Sequence, residues 1–592
     1  MKEFIKYTLA TIVGMIIVTL LTIFAGAMMI AGALSAMTTT EAVEPDDNSV
    51  MVVNLSGMMS ERTQNDIIPF ASGLSQKILG LEDYVKVIDK ARENDNIKGI
   101  YIEAGLFSPD SYASLQELRK ALLEFKESGK WIISYGDTYS QSAYYIASVA
   151  DKIYLNPEGH IEWKGMASQP TFYKDLMAKF GVKMQLAKVG TYKSAPETFT
   201  ADKMSDANRE QISAFINGIW QNIKNDVAAS RKVNADSLDN YADGVVMFDN
   251  PENYKKMKLI DGISYARDMK PIIRKQLGIE PDEDINQITA EDMTLVKSAH
   301  KSGEEIAVYY ACGDIVDDIV GMPSSKEVIN AREVCKDLEE LENDDDVKAV
   351  VLRINSGGGS AYASEQLWYS IKNLKAKKPV VVSMGGMAAS GGYYMSCNAN
   401  KIIAEPTTLT GSIGIFGMFP DFSGLLTEKL GVKFDEVKTN DNSTFGASLA
   451  RPFSEEEMSY LNVYIDRGYK LFRQRVADGR KMSVEQIEKV AQGRVWLGQD
   501  ALKIGLVDKL GTLKDAVSEA AALANVTEYR THSYPAQKSW LDNITEEIGN
   551  NSYINDKIRA FAGDYYEPLY LLKTINMQNA VQARIPFNMN VK

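Results

Sequence analysis

Between residues 301 and 402, short apolar runs alternate with longer segments of helical spacing. IAVYY (306–310), VKAVVLRIN (347–355) and KPVVVSMG (378–385) are rich in β-branched residues and nearly unbroken in hydrophobicity. Such runs predict strands buried on both faces. EVCKDLEELENDDD (333–346) and AYASEQLWYSIKNLKAK (361–377) carry apolar residues at helical spacing and lie between the strand-like runs. Buried strands joined by helices predict crossover units on a parallel sheet, an α/β fold.

The pattern occurs twice. Residues 132–153, IISYGDTYSQSAYYIASVADKI, align without a gap to 381–402, VVSMGGMAASGGYYMSCNANKI, at an offset of 249 with seven identities. Ile97-Lys98 aligns with Val347-Lys348, and GVKMQLAKV (181–189) with GVKFDEVKT (431–439), both at an offset of 250. One register held over this span predicts two homologous halves, 48–300 and 301–540. The tail, 541–592, reads as amphipathic helices that would pack on the core, line an oligomer contact or touch lipid.

Residues 8–40 contain no charged side chain. That run exceeds the roughly 20 residues needed to cross a bilayer, and the about 7–15 of a signal-peptide core. It predicts a retained anchor over 8–37, although ALSA (33–36) would also suit a peptidase removing a leader. Lys2 and Lys6 precede the run, and Glu41, Glu44, Asp46 and Asp47 follow it. The positive-inside bias then places residues 1–7 in the cytoplasm and the bulk of the chain outside.

Composition narrows the function. A net charge of −14 argues against nucleic acid, whose phosphates need a basic surface. Cys312, Cys335 and Cys397 form no CxxC pair, and no metal-ligand motif is present, so no metal site is expected. His160, His300 and His532 lie in turn-like or polar contexts that suit no histidine triad.

The chemistry gathers at two predicted strand ends. RINSGGGSAYASE (353–365) ends one strand and opens a helix, and its glycines let backbone approach a ligand closely. It is neither a Walker A loop nor GxGxxG; taken alone, it could be a tight turn. The next strand leads into GGMAASGGYYMSC (385–397), where small residues crowd Ser390. A glycine loop beside an exposed serine is the arrangement of an oxyanion hole next to a nucleophile. Taken alone, Ser390 could simply start a helix.

NSGGGSAYASE, SMGGMAASGGYYMS and TLTGSIGIFG (408–417) together resemble the signal peptide peptidase SppA family in its long, duplicated form. The resemblance covers most of the chain after the anchor. It implies tandem domains of the Clp protease and crotonase fold, without cofactor. It also implies a serine endopeptidase of the bacterial inner membrane, with its catalytic part on the periplasmic side. Cleaved signal peptides and similar apolar peptides would be its substrates and a homotetramer its assembly. The chain departs from the pattern at Gly357, where the family usually has proline. The general base of that family is a lysine in a KYKSA-type motif of the first half. Here VGTYKSAPETF (189–199) supplies Lys193. The resemblance further assigns Ser412 as the hydroxyl that orients the base, and Gly391 with Gly358 or Gly359 as oxyanion donors.

The repeat supports this pairing independently. Ser390 faces Gln141 at the offset of 249, and Lys193 faces Ser443 at 250. Each half holds one member of the pair. A lysine base near neutral pH needs its pKa lowered by about three units, roughly 4 kcal/mol, which burial can supply. Two rivals remain at this level: a crotonase-type acyl-CoA enzyme and a non-enzymatic membrane scaffold. Neither requires a serine at 390 or a remote lysine.

Overall fold

The computed structural model describes residues 43–63, 79–297, 302–317, 328–447, 449–537 and 581–584, with isolated positions between 6 and 21. The expected anchor lies almost wholly outside the described residues. Among those described, no helix is long and apolar enough to cross a membrane.

In the first half, β1 (Ser49–Met59), β2 (Ile97–Pro109), β3 (Trp131–Tyr139) and β4 (Lys152–Ile161) lie side by side. β5 (Lys183–Lys188) departs from them, and β6 (Gly262–Ile263) and β7 (Gln287–Thr289) complete a parallel sheet ordered β6-β4-β3-β2-β1-β7. The second half supplies β8 (Glu304–Cys312), β9 (Asp314–Val316), β10 (Val328–Asn330), β11 (Val347–Ser356), β12 (Gly358–Ser360) and β13 (Val380–Ala389). It continues with β14 (Lys401–Ala404), β15 (Leu409–Gly411), β16 (Phe416–Asp421), β17 (Val495–Leu497), β18 (Lys509–Leu510) and β19 (Tyr529–Tyr534). The tail adds β20 (Val581–Arg584). The second large sheet runs β17-β15-β13-β11-β8-β19, with β14 and β18 beside β13. Only its β15–β17 pair is antiparallel.

Helices cover these sheets where the apolar spacing predicts them. Helix Ala331–Asn343 buries Ala331, Val334, Leu338 and Leu341, one face at helical spacing, and Asn330 caps its first turn. Helix Ala361–Lys377 starts behind a Ser360 cap and has the bounds its pattern predicts. The tail expected as helices, 541–592, lies outside the described residues except for 581–584, which form a strand. The backbone there pairs with β12 on one side and β16 on the other, so tertiary pairing overrides local pattern.

A third sheet, β10-β9-β12-β20-β16-β5, joins the halves. β5 of the first half pairs antiparallel with β16 of the second, from Lys183 opposite Asp421 to Lys188 opposite Phe416. The halves also share apolar contacts. Ala389, Leu409, Val495 and Leu497 belong to the first half's core, and Ala187 to the second's.

One buried ionic cluster crosses the same boundary. Arg353, on β11, is 1% exposed. Its guanidinium donates to both carboxylate oxygens of Glu61 at 2.9 and 3.0 Å, pairs with Glu117 at 2.9 Å and reaches Ser383 at 3.0 Å. Next to it, Asn355 donates to Asp110 at 2.7 Å, tying the start of the glycine loop to the first half. A buried ion cluster adds little net stability, but removing one partner leaves uncompensated charge. Arg353→Met strands Glu61 and Glu117 and should destabilise the fold by about 3–5 kcal/mol in a denaturant titration. A loss below about 1 kcal/mol, the scale of a surface pair, would show that the cluster does not hold the halves together.

Candidate active site

β13 and β15 run in parallel with Ala389 opposite Gly411, so the chain leaves both strands at one level. Ser390 follows the first strand and Ser412 the second. Both have positive φ, 56° and 48°. Backbone bonds hold them there: Ser390 N–H donates to the Gly411 carbonyl at 2.8 Å, and Ser412 N–H to that of Arg494 at 2.7 Å. A non-glycine residue in this region stores strain of order 1–3 kcal/mol, and such strain gathers at functional sites.

Ser390 sits at the N-cap of helix Gly391–Ser396, yet its side chain caps nothing. Ser140, which starts the matching helix of the first half, does cap, accepting from the Ala143 N–H. The strained turn therefore holds the Ser390 hydroxyl off its helix. Gly391 and Gly392 allow that turn to press on the glycine loop. A Cβ on Gly391 would lie 2.6 Å from Ser364 Oγ and 3.1 Å from Gly358 Cα.

Lys193 arrives from the other half. The β5–β16 pairing delivers residues 189–196 to the ends of β13 and β15, and Val189 N–H extends it with a bond to the Ile415 carbonyl at 3.2 Å. Gln211 then clamps the loop: its amide donates to the Tyr192 carbonyl at 3.0 Å and Ser194 Oγ at 2.8 Å, and accepts from Val495 N–H at 3.2 Å. The Lys193 backbone lies on Gly493, where a Cβ would come within 2.6 Å of Lys193 N and 2.7 Å of its Cα.

Lys193, Ser390 and Ser412 are all fully buried, at 0% exposure, so Ser390 is not the exposed serine that its small-residue context suggests. Lys193 Nζ lies 2.6 Å from Ser390 Oγ, 3.1 Å from Ser412 Oγ and 3.2 Å from the Ser412 carbonyl. None of these partners is charged. Burial pushes the Lys193 pKa well below the ordinary lysine value, and no carboxylate offsets it. A neutral amine has two N–H donors and one lone pair, which matches the three contacts. The N–H groups donate to the two Ser412 oxygens, and the lone pair accepts from the Ser390 hydroxyl. That arrangement can remove a proton from Ser390.

The glycine loop closes one side. Gly391 N–H opens a helix and has no acceptor within it. Gly358 has φ +96°, and its N–H donates to Ser356 Oγ at 3.1 Å. Gly359 pairs with Ile315 and Ala583 in the third sheet.

In the first half the corresponding place is filled. Gln141, in the position of Ser390, is 2% exposed; its amide oxygen accepts from Lys164 and Gly165 N–H, and its amide nitrogen donates to Tyr112 Oη. Counted back from the helix caps Ser111 and Ser360, Pro109 stands where Gly358 does and has no N–H to offer. Ser443, in the position of Lys193, lies on an exposed turn.

Among the described residues no cluster could hold a metal ion. The three cysteines are free thiols, and burial pushes Cys397 up to about 12. His160 lies in β4 and His532 in β19, where it stacks on Tyr534; His300 lies outside the described residues. The sequence reading missed Gln211, Gly493 and the Ser412 carbonyl. Gln211 is one amide on an ordinary helix, Gly493 one glycine in a turn, and a carbonyl leaves no trace in residue type.

Gly493→Ala must move Lys193, because the new methyl collides with its backbone and Gly493 has φ +79°. Displacing a reacting group by about 1 Å can cost ~10²-fold. We expect peptidase kcat to fall by about that factor while the circular dichroism spectrum is kept. Unchanged kcat would mean that Gly493 does not position Lys193.

Residues 124–280 and 372–527 match Peptidase family S49, and residues 310–408 match the Clp protease family. The chain is 37% identical to Protease 4 of Salmonella typhi over 517 residues, 85% of this chain and 80% of that one. It is 31% identical to the chloroplastic serine protease SPPA of Arabidopsis thaliana, covering 81% and 69% of the two chains. A putative signal peptide peptidase SppA of Enterococcus faecium is 33% identical over 46% of this chain and 80% of its own. With its two S49 segments on Clp-like parallel sheets, the chain belongs to peptidase family S49 and is a serine protease.

Proposed function

We propose that the chain is a membrane-anchored serine endopeptidase in which Ser390 attacks the peptide carbonyl and Lys193 takes its proton. The observation that carries this reading is the 2.6 Å contact between Lys193 Nζ and Ser390 Oγ in full burial. The Ser390 proton passes to Lys193, and an ester forms between Ser390 and the acyl half of the peptide. Lys193 gives the proton to the departing amine. Water, deprotonated by Lys193, then hydrolyses the ester. Gly391 N–H and the Gly358–Gly359 backbone lie where charge builds on the carbonyl oxygen; Gly358 N–H would exchange Ser356 Oγ for that oxygen. Ser412 holds the amine through its carbonyl and hydroxyl.

The uncharged run over 8–40 supports an anchor, and its charge flanks support an active site outside the cytoplasm. Peptides left in or near the membrane, such as cleaved signal peptides, are the substrates that such a site meets. The name of the Enterococcus relative points the same way.

The repeat supports assembly into a ring of copies. Residues 433–438 correspond to β5 yet form no strand, and Val437 among them is fully exposed. Residues 166–171, matching β16, are likewise outside any strand. The β5–β16 pairing repeated between chains would join 433–438 of one copy to 166–171 of the next. Such head-to-tail contacts form a ring when the rotation between copies closes; a ring of four copies is what the resemblance implies.

The pH profile tests the base. Burial lowers the Lys193 pKa, so below that value the amine is protonated and cannot accept from Ser390; kcat/KM should rise with pH and level off before the ordinary lysine range. A flat profile would contradict a lysine base. Mixed assemblies test the single-chain pair. Ser390→Ala and Lys193→Ala chains should each lose on the order of 10⁴-fold or more in kcat, and co-assembled they should stay inactive. Recovered activity would mean that the pair forms between chains.

A further inference from the structure

β11 and β13 keep a one-to-one register from Val350 opposite Val380 to Ile354 opposite Met384, and resume it with Ser356 opposite Ala388. Between these points one residue of β11, Asn355, stands against three of β13: Gly385, Gly386 and Met387. Such a bulge bends a strand and re-aims the residues beyond it. Here the residues beyond it are Ala388, Ala389 and Ser390. The shape of the bulge therefore sets where β13 delivers the nucleophile.

Side chains hold the bulge. Met387 N–H donates to Asn355 Oδ1 at 3.1 Å, and Asn355 Nδ2 donates to Asp110 Oδ2 at 2.7 Å. The backbone N–H can use only the amide oxygen, which leaves the amide nitrogen for Asp110 and fixes the orientation of the amide. Near β15, Thr408 Oγ1 donates to the Gly385 carbonyl and Thr410 Oγ1 to that of Ala388, both at 2.8 Å. The two bare glycines seat residues of the first half. A Cβ on Gly385 would lie 2.3 Å from Glu61 Oε1, and one on Gly386 would lie 2.4 Å from Ser111 Cβ. Asp110, Ser111 and Glu61 thus bear on the bulge together. At the repeat offset of 250, Asn355 matches Gly105, which has no side chain to bond. The half without the serine also lacks this amide.

We propose that Asp110 and Asn355 are positioning residues for Ser390: the carboxylate from the first half orients the Asn355 amide, and the amide holds the bulge that aims the serine at Lys193. This rests on the Ser390/Lys193 reading. The first half then does two things for the reaction. It carries the base, and it sets the place of the nucleophile, so hydroxyl and amine meet only when the halves are seated on one another. Neither Asp110 nor Asn355 bonds to the reacting atoms. The Gln211 and Gly493 contacts that hold Lys193 involve neither residue. Losing the Asp110–Asn355–Met387 chain therefore displaces the serine and leaves the lysine where it is.

Two measurements on the full chain in detergent test this. One is kcat and KM for a quenched fluorescent apolar peptide. The other is the rate at which a fluorophosphonate labels Ser390, which reads the reactivity of the serine without peptide binding. Asn355→Ala and Asp110→Ala should each lower kcat and the labelling rate by about 10²-fold, the cost of displacing a reacting group by about 1 Å, with KM and the circular dichroism spectrum kept. Asn355→Asp sets two carboxylates at hydrogen-bond distance, where they repel, and should lose as much. Adding Asp110→Asn to it restores one amide and one carboxylate in reversed order, with an oxygen still facing Met387 N–H. This double variant should recover most of the lost rate, and it decides the matter if an alanine variant does not fold. Alanine variants that are labelled at the wild-type rate overturn the proposal. So does a loss carried by KM alone, or a double variant no faster than Asn355→Asp. If the wild type itself is not labelled at Ser390, the Ser390/Lys193 reading fails instead.

Discussion

The structure turns on one electrostatic constraint: the Lys193 amine is buried among uncharged partners. A lysine in water keeps its proton, and each unit by which burial lowers its pKa corresponds to about 1.4 kcal/mol. No carboxylate is close enough to reverse that effect. The amine is instead met by Ser390 Oγ and the two oxygens of Ser412. Those oxygens converge only because β13 and β15 end at one level and each continues into a residue of positive φ. The Gln211 clamp and the Gly493 platform hold the lysine backbone against the same corner. Loosening that backbone would let water in, and a hydrated ammonium is no base.

Burying a lysine beside a serine from another domain demands a rigid boundary between the two. The β5–β16 pairing, the shared apolar residues and the Arg353–Glu61–Glu117 cluster all lie across that boundary. Duplication explains why one site exists rather than two. Gln141 satisfies its amide on the 164–165 backbone where the second half has its serine, and Pro109 removes the N–H that a second oxyanion corner would need. These residues are well bonded, so the first half keeps its fold without a serine at this place.

Much of this is legible in the sequence, for physical reasons. Buried parallel strands must be apolar on both faces, so β8, β11 and β13 appear as unbroken runs; helix 361–377 shows its bounds through its own spacing. The repeat register exposes the exchange of Ser390 for Gln141, and the motif around Lys193 marks it among 65 lysines and arginines. What stays hidden depends on contacts between distant segments. Glu61 and Glu117 look like surface acids until Arg353 is placed beside them. Residues 581–584, VQAR, have no pattern that declares a strand, because both of their partners lie more than 160 residues away.

The central claim is that Lys193 is a neutral amine at neutral pH, with its lone pair on Ser390. Nitrogen NMR of the chain labelled at lysine Nζ measures this directly, with Lys193→Met identifying the signal by its disappearance. The account predicts an amine resonance at pH 7 that converts to ammonium only on acidification, well below the range of the surface lysines. An Nζ that is still ammonium at pH 7 and titrates with the surface lysines would contradict it.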